Sequence, residues 1–189
     1  MIAKKRLLPI LVAVLMVFAM MPMTAGTVFA IDADITSPEI DVSSLQVTLP
    51  EGKTEGTVQV TSAAGRTVVY TKAPNKKSVT VPETVVINGK TFLVTEIGSK
   101  AFTGKKIRTV TIGRNVERIR KNAFKKSKAT KMIVKTTSLT KASVKGSLKG
   151  SKIKTVQVKV GNKAQNKIFI KRYKKIFTKA NAGKKAKVK

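Results

Sequence analysis

The chain has 189 residues and sets 39 lysines and arginines against 9 acidic residues, a formal charge of +30 at neutral pH. It holds no cysteine, histidine or tryptophan, which excludes disulfides, thiolate nucleophiles, histidine acid–base chemistry and imidazole or thiolate metal sites. Such a length supports one domain with a modest core, and so basic a surface attracts polyanions.

Lys4, Lys5 and Arg6 precede an almost wholly apolar run, Leu7 to Met23, and Val28-Phe29-Ala30 puts small residues where a signal peptidase reads. The pattern predicts a signal peptide over residues 1–30, cleaved after Ala30. The competing reading is an uncleaved anchor, because the run approaches the ~20 residues that span a bilayer. Pro9, Pro22 and Gly26 weaken that alternative, and Ile31-Asp32-Ala33-Asp34 suits a mature terminus. Export without cysteine fits a bacterial envelope, so the expected location is secreted or at the bacterial cell surface, with membrane contact only through a retained leader.

Residues 31–56 carry Asp32, Asp34, Glu39, Asp41, Glu51 and Glu55 against Lys53 alone, and read as an acidic linker and N-terminal strand region. Residues 57–93 read as strands and an N-terminal cap hairpin: Thr57-Val58-Gln59-Val60 and Thr67-Val68-Val69-Tyr70 follow a first strand at Leu45 to Leu49. In Val85 to Phe92, Asn88-Gly89 supplies the two positive-φ residues of a type I′ turn between β-rich arms.

Residues 94–160 repeat. At an offset of 22, Val94 pairs with Val116, Ile97 with Ile119, Ala101 with Ala123, Phe102 with Phe124 and Ile112 with Val134. A looser third copy matches Gly104–Ile112 to Gly150–Val158 in five of nine positions, with Leu148 at the phenylalanine position. This period is that of a leucine-rich-repeat solenoid, in which each unit gives one short strand and a return segment, and stacking supplies the core. The expected core is Ile97, Ala101, Phe102, Ile107, Val110 and Ile112, then Ile119, Ala123 and Phe124, then Ile153, Val156 and Val158. In-register strands place Thr109, Thr111, Lys131, Ile133, Lys135, Thr155, Gln157 and Lys159 on one outward ladder, the candidate ligand face.

The run from Val94 to Phe124, with its Ile-Gly-x-x-Ala-Phe core at Ile97 to Phe102, resembles the BspA-like leucine-rich repeats of bacterial surface proteins. The likeness extends from Val79 to the C-terminus; Arg120 replaces the glycine in the second unit and Ser147-Leu148 replaces Ala-Phe in the third. It implies a surface-exposed or secreted binding scaffold, with adhesion to host or neighbouring cells a role of some members.

After Gly161 the apolar period changes. Phe169, Tyr173, Ile176, Phe177 and Ala180 fall on one face of a helix that begins near Asn162 and stops at Asn181-Ala182-Gly183. Residues 161–189 thus read as a capping helix followed by a short strand at Ala186 to Val188. The fold class is mostly β with some α: a short leucine-rich-repeat solenoid preceded by β-hairpin strands and closed by a C-terminal capping helix.

Chemistry-bearing motifs fail on their own terms. Gly98 to Gly104-Lys105-Lys106 has one residue too many for a phosphate loop and no hydroxyl after the lysine. Leu49-Pro50-Glu51-Gly52 lacks the threonine and the apolar tail of a sortase signal. Glu83, Glu96 and Glu117 fall at non-equivalent repeat positions and make no matched glycosidase pair. The sequence therefore points to a non-enzymatic scaffold without cofactor or metal. Its expected partner is an anionic cell-wall polymer or surface glycan that retains it by charge. The alternative is an adhesin or effector whose strand ladder binds a host or neighbouring-cell protein; a polysaccharide-active enzyme is a third reading. Specific nucleic-acid binding is not expected, because the few aromatic residues have core positions.

Overall fold

A computed structural model describes residues 46–49, 55–104 and 106–189; the leader, its cleavage point and most of the acidic segment lie outside them. Among the described residues no helix is long and apolar enough to cross a membrane.

Two sheets enclose the core. The first runs β1 (Gln46–Leu49), β2 (Gly56–Ser62), β3 (Thr67–Lys72), β6 (Lys90–Ile97), β5 (Thr84–Ile87). Here β8 (Arg118–Ile119) also pairs with the far half of β6, Glu96 beside Arg118 and Ile97 beside Ile119. The second is a parallel ladder of β4 (Ser78–Thr80), β7 (Thr109–Ile112), β9 (Lys131–Val134), β10 (Thr155–Val158) and β11 (Lys187–Val188). Its register is set by the side chains that must share one interior: Val79, Val110, Met132, Val156 and Val188 align across five strands, and all are buried. Parallel ladders of this kind arise where every strand is followed by a return segment of nearly constant length.

Two coils are longer than the rest, for a visible reason. Between Thr80 and Thr109 the chain inserts the β5–β6 hairpin, whose Asn88 (φ 50) and Gly89 (φ 72) turn in the left-handed region as a type I′ connection requires. Between Val158 and Lys187 it inserts α1 (Lys163–Ile176) and the short α2 (Lys179–Ala182). Asn162 starts α1 with a capping box: its Oδ1 accepts from the Gln165 N–H at 2.9 Å, and Gln165 Oε1 accepts from the Asn162 N–H at 3.0 Å. Tyr173 then docks the helix by donating its hydroxyl to the Thr136 carbonyl at 2.6 Å.

The C-terminal helix is not one helix, and here the sequence reading is corrected. It stops at Ile176, Phe177 leaves helical geometry (φ −87, ψ 52), and Thr178 restarts the chain as an extended N-cap whose Oγ1 accepts from the Asn181 N–H. The break lets the buried Asn181 amide donate to the carbonyls of both Lys141 and Ile176, at 2.9 Å each, which a continuous helix would not allow. Ala180 is consequently exposed rather than on the buried face.

The return segments stack as well. Lys100 N–H donates to the Asn122 carbonyl, Asn122 N–H to Gly146 and Gly146 N–H to Asn181, so α2 occupies the place of a fourth return turn. Inside it Phe102 and Phe124 stack with centroids 4.7 Å apart at 19°, and Tyr70 closes the column 6.1 Å from Phe102. The twelve residues read as core, from Ile97 to Val158, are all buried.

Candidate functional site

The outward ladder is built by the alternation of a strand. Since Val110, Met132 and Val156 point inward, their neighbours point out: Lys131 lies between Thr109 and Thr155, and Ile133 between Thr111 and Gln157. Lys135 and Lys159 continue past the strand ends, held by bonds from their N–H groups to the carbonyls of Ile112 (3.1 Å) and Val134 (2.8 Å). All eight residues therefore share one face. Seven are half-buried and only Lys159 is exposed. At about 4.8 Å between strands, Lys135 and Lys159 are like-charged neighbours, an arrangement that costs stability unless an anion joins them.

Charge is distributed along the stack. The described acidic residues are Glu55, Glu83, Glu96 and Glu117, all in the early coils. Glu55 pairs with Lys76, Glu83 with Arg114 at 3.7 Å, and Glu96 with Arg118 at 3.5 Å and Arg120 at 2.7 Å. Arg120, which replaces the repeat's glycine, thus anchors Glu96 across the coil boundary. From Arg118 onward the chain has 25 lysines and arginines and no acidic residue. Acidic side chains thus compensate part of the charge at one end of the stack and none of it at the other.

Glu96 and Glu117 stand at different repeat positions, yet both line a polar depression of about 290 Å³ with Thr95, Arg118, Ser138, Thr140 and Ser143. Glu96 is engaged by Arg118 and Arg120 there, and no second carboxylate stands at the equivalent repeat position. Among the described residues no group of three or more potential ligands could hold a metal ion. The two buried tyrosines have hydroxyls raised above the ordinary range. For Tyr70 the causes are burial and the nearby Glu55 charge; for Tyr173 burial raises the value to about 12 against the opposing pull of Arg172. Both are structural, since each donates to a backbone carbonyl, Tyr70 to Glu55 and Tyr173 to Thr136.

Sequence reasoning favoured the strand face and missed the opposite edge and the C-terminal end, where more cations gather. Lys121, Lys125 and Lys149 lie over Gly146, Gly150 and Gly183 of the next coil. Two grooves beside α1 are walled by cations, one of them joining Lys141 to Lys171, Arg172 and Lys175 of the following coil. Recurrence of Lys121 at Lys145 and of Lys125 at Lys149, at an offset of 24, was the available signal for the edge; nothing in the linear order signals the grooves.

Comparison with known proteins agrees with this architecture. The family model for the BspA type leucine rich repeat region matches residues 75–175 in six copies. Neither curated proteins nor solved structures gave a match. The matched span covers the strand ladder from Ser78 to Val158, the Phe102–Phe124 column and most of α1, more than half of the sequence. By fold, repeat period and sequence, the chain belongs to the BspA-type leucine-rich-repeat family.

Proposed function

We propose that this protein is an exported binding scaffold retained at the bacterial surface by attraction between its basic coils and anionic wall polymers. Leucine-rich-repeat domains are generally non-enzymatic binding scaffolds, and BspA-type members are typically surface or secreted proteins. The observation that carries the finer reading is the one-sided charge: the ion pairs of Glu55, Glu83 and Glu96 all lie at or before Arg120, and no acidic residue follows Glu117. A folded protein gains nothing from such self-repulsion, whereas a polyanion relieves it and releases counterions.

The test is binding of the secreted protein to purified walls that contain or lack teichoic acid, from about 50 mM to about 1 M salt, where the screening length falls to about 3 Å. Retention should require the anionic polymer and disappear at high salt. Binding that ignores both variables would exclude charge as the means of retention. It would favour the second reading, a host or neighbouring-cell protein docked on the strand face, where Ile133 and the half-buried threonines offer a mixed polar and apolar surface.

A further inference from the structure

The cations of the C-terminal end converge. One groove of about 420 Å³ lies between α1 and the coil before it, with Lys141, Lys171, Arg172 and Lys175 around Thr140. A second, of about 610 Å³, lies between the end of α1 and β11, with Lys174, Lys179, Lys185 and Lys187 around Thr178. No acidic side chain lines either one; Glu96 and Glu117 line the depression that adjoins the first groove at Thr140.

Part of this charge has a structural use. Lys174 and Lys175 complement the C-terminal end of the helix dipole. Arg172 donates to the Leu139 carbonyl at 3.1 Å and sits 5.5 Å from the Phe169 ring centroid. That leaves Lys141 and Lys171 in the first groove, and Lys179, Lys185 and Lys187 in the second, facing like charge. Each groove also presents one threonine whose Oγ1 already accepts a backbone N–H, from Ser143 at 3.1 Å and from Asn181 at 3.2 Å, so that its own proton is left to donate outward.

We propose that the two grooves form one bipartite site for a linear phosphate polymer, with the C-terminal half of α1 as the saddle between them. This rests on the surface-retention reading and locates it. Adjacent residues on a helix point about 100° apart, so Lys174 lines one groove and Lys175 the other, and a helix with its side chains is about 10–12 Å across. One phosphate group cannot span that width; successive groups on one chain can. Lysine fits this ligand because a compact ammonium with three donors binds a phosphate as a point charge from any side, without the planar match that a guanidinium needs.

The experiment measures binding of long-chain inorganic polyphosphate and of orthophosphate to the secreted full-length protein across a salt series. Polyphosphate should bind at least a hundredfold more tightly than orthophosphate. The pairs K141Q/K171Q and K179Q/K185Q should each weaken polyphosphate binding tenfold or more, and each should flatten the log–log salt slope by about 1.4, from about 0.7 per lost contact. K131Q/K135Q on the strand face removes the same charge and should cost less than threefold. Lys141, Lys171, Lys179 and Lys185 are exposed and Lys131 and Lys135 half-buried, and unchanged far-UV dichroism confirms that the variants fold. Equal losses from all three pairs, or orthophosphate binding as tight as the polymer, would overturn the site and leave charge-based retention standing. Salt-sensitive wall binding by a protein that ignores polyphosphate would overturn the site alone, whereas loss of salt-sensitive wall binding overturns the retention reading itself.

Discussion

Replacing Phe102 by alanine probes the assumption on which the stack depends, that neighbouring coils share one interior. The ring is wholly buried, stacked 4.7 Å from Phe124 and tilted 6.1 Å from Tyr70. Burial of a phenylalanine is worth ~3–5 kcal/mol in such substitutions, of which about 0.5–1.5 kcal/mol is ring–ring contact beyond area. The upper half of that range applies here. The coils are pinned at fixed separation by backbone pairing on both sides, Ile97 with Ile119 and Val110 with Met132, so the space vacated by the ring cannot collapse. A loss of about 4 kcal/mol is a large share of the 5–15 kcal/mol typical of a domain. Denaturant unfolding followed by circular dichroism should show the midpoint fall with an unchanged slope, while V86A, at a position 64% exposed, should stay within about 0.5 kcal/mol. A loss below about 1 kcal/mol for F102A at constant slope would show that the column is not the shared core.

Three further outcomes follow from local chemistry. Ser147 occupies the place of Ala101 and Ala123, and its buried Oγ has no hydrogen-bond partner, so S147A should raise stability by about 1 kcal/mol in the same assay. Gly56 sits at φ 134 with a would-be Cβ 2.4 Å from Tyr70 Oη, so G56A should destabilise by more than about 2 kcal/mol; a neutral result would mean that β2 does not meet Tyr70 as described. Tyr173 keeps its proton to about pH 12 when folded, against 10.0 for the ordinary side chain. Its contribution to stability is therefore full below pH 10 and lost as pH rises toward 12, and Y173F should show a shallower decline of unfolding midpoint over that interval.

The repeat was legible in the sequence because a solenoid must place equivalent side chains at equivalent depths, so Val94, Ile97, Ala101 and Phe102 reappear 22 residues later as Val116, Ile119, Ala123 and Phe124. The first rung, Ser78–Thr80, was hidden because the hairpin inserted after it lengthens that coil and breaks the period. The break at Phe177–Thr178 was hidden for another reason: helical spacing of apolar residues runs straight through it, and only the carbonyls of Lys141 and Ile176, which Asn181 must reach, decide against continuation. The outward strand ladder could be read because strand register alone sets it. The grooves could not, since Lys141 meets Lys171 only after Tyr173 has fastened α1 to Thr136, a contact between residues 37 apart.

Charge and packing use the same lysines along the return edge, which bears on how the electrostatic reading is tested. A Cβ built on Gly146 would stand 3.1 Å from Lys121 Cγ, one on Gly150 would stand 3.4 Å from Lys125 Cγ, and one on Gly183 would stand 2.9 Å from Lys149 Cβ. The lysine stems thus lie across the bare backbone of the following coil while their ammonium groups reach water, the behaviour of a long amphipathic side chain. K121A and K121Q both remove the charge, but only glutamine keeps Cβ and Cγ in place over Gly146. K121A should cost about 0.5–1 kcal/mol of unfolding free energy and K121Q less than half of that, because a buried methylene is worth about 0.8 kcal/mol. Polyanion binding should respond equally to the two. If stability responds equally as well, the stems contribute no packing, and the lysines of this edge are present for their charge alone.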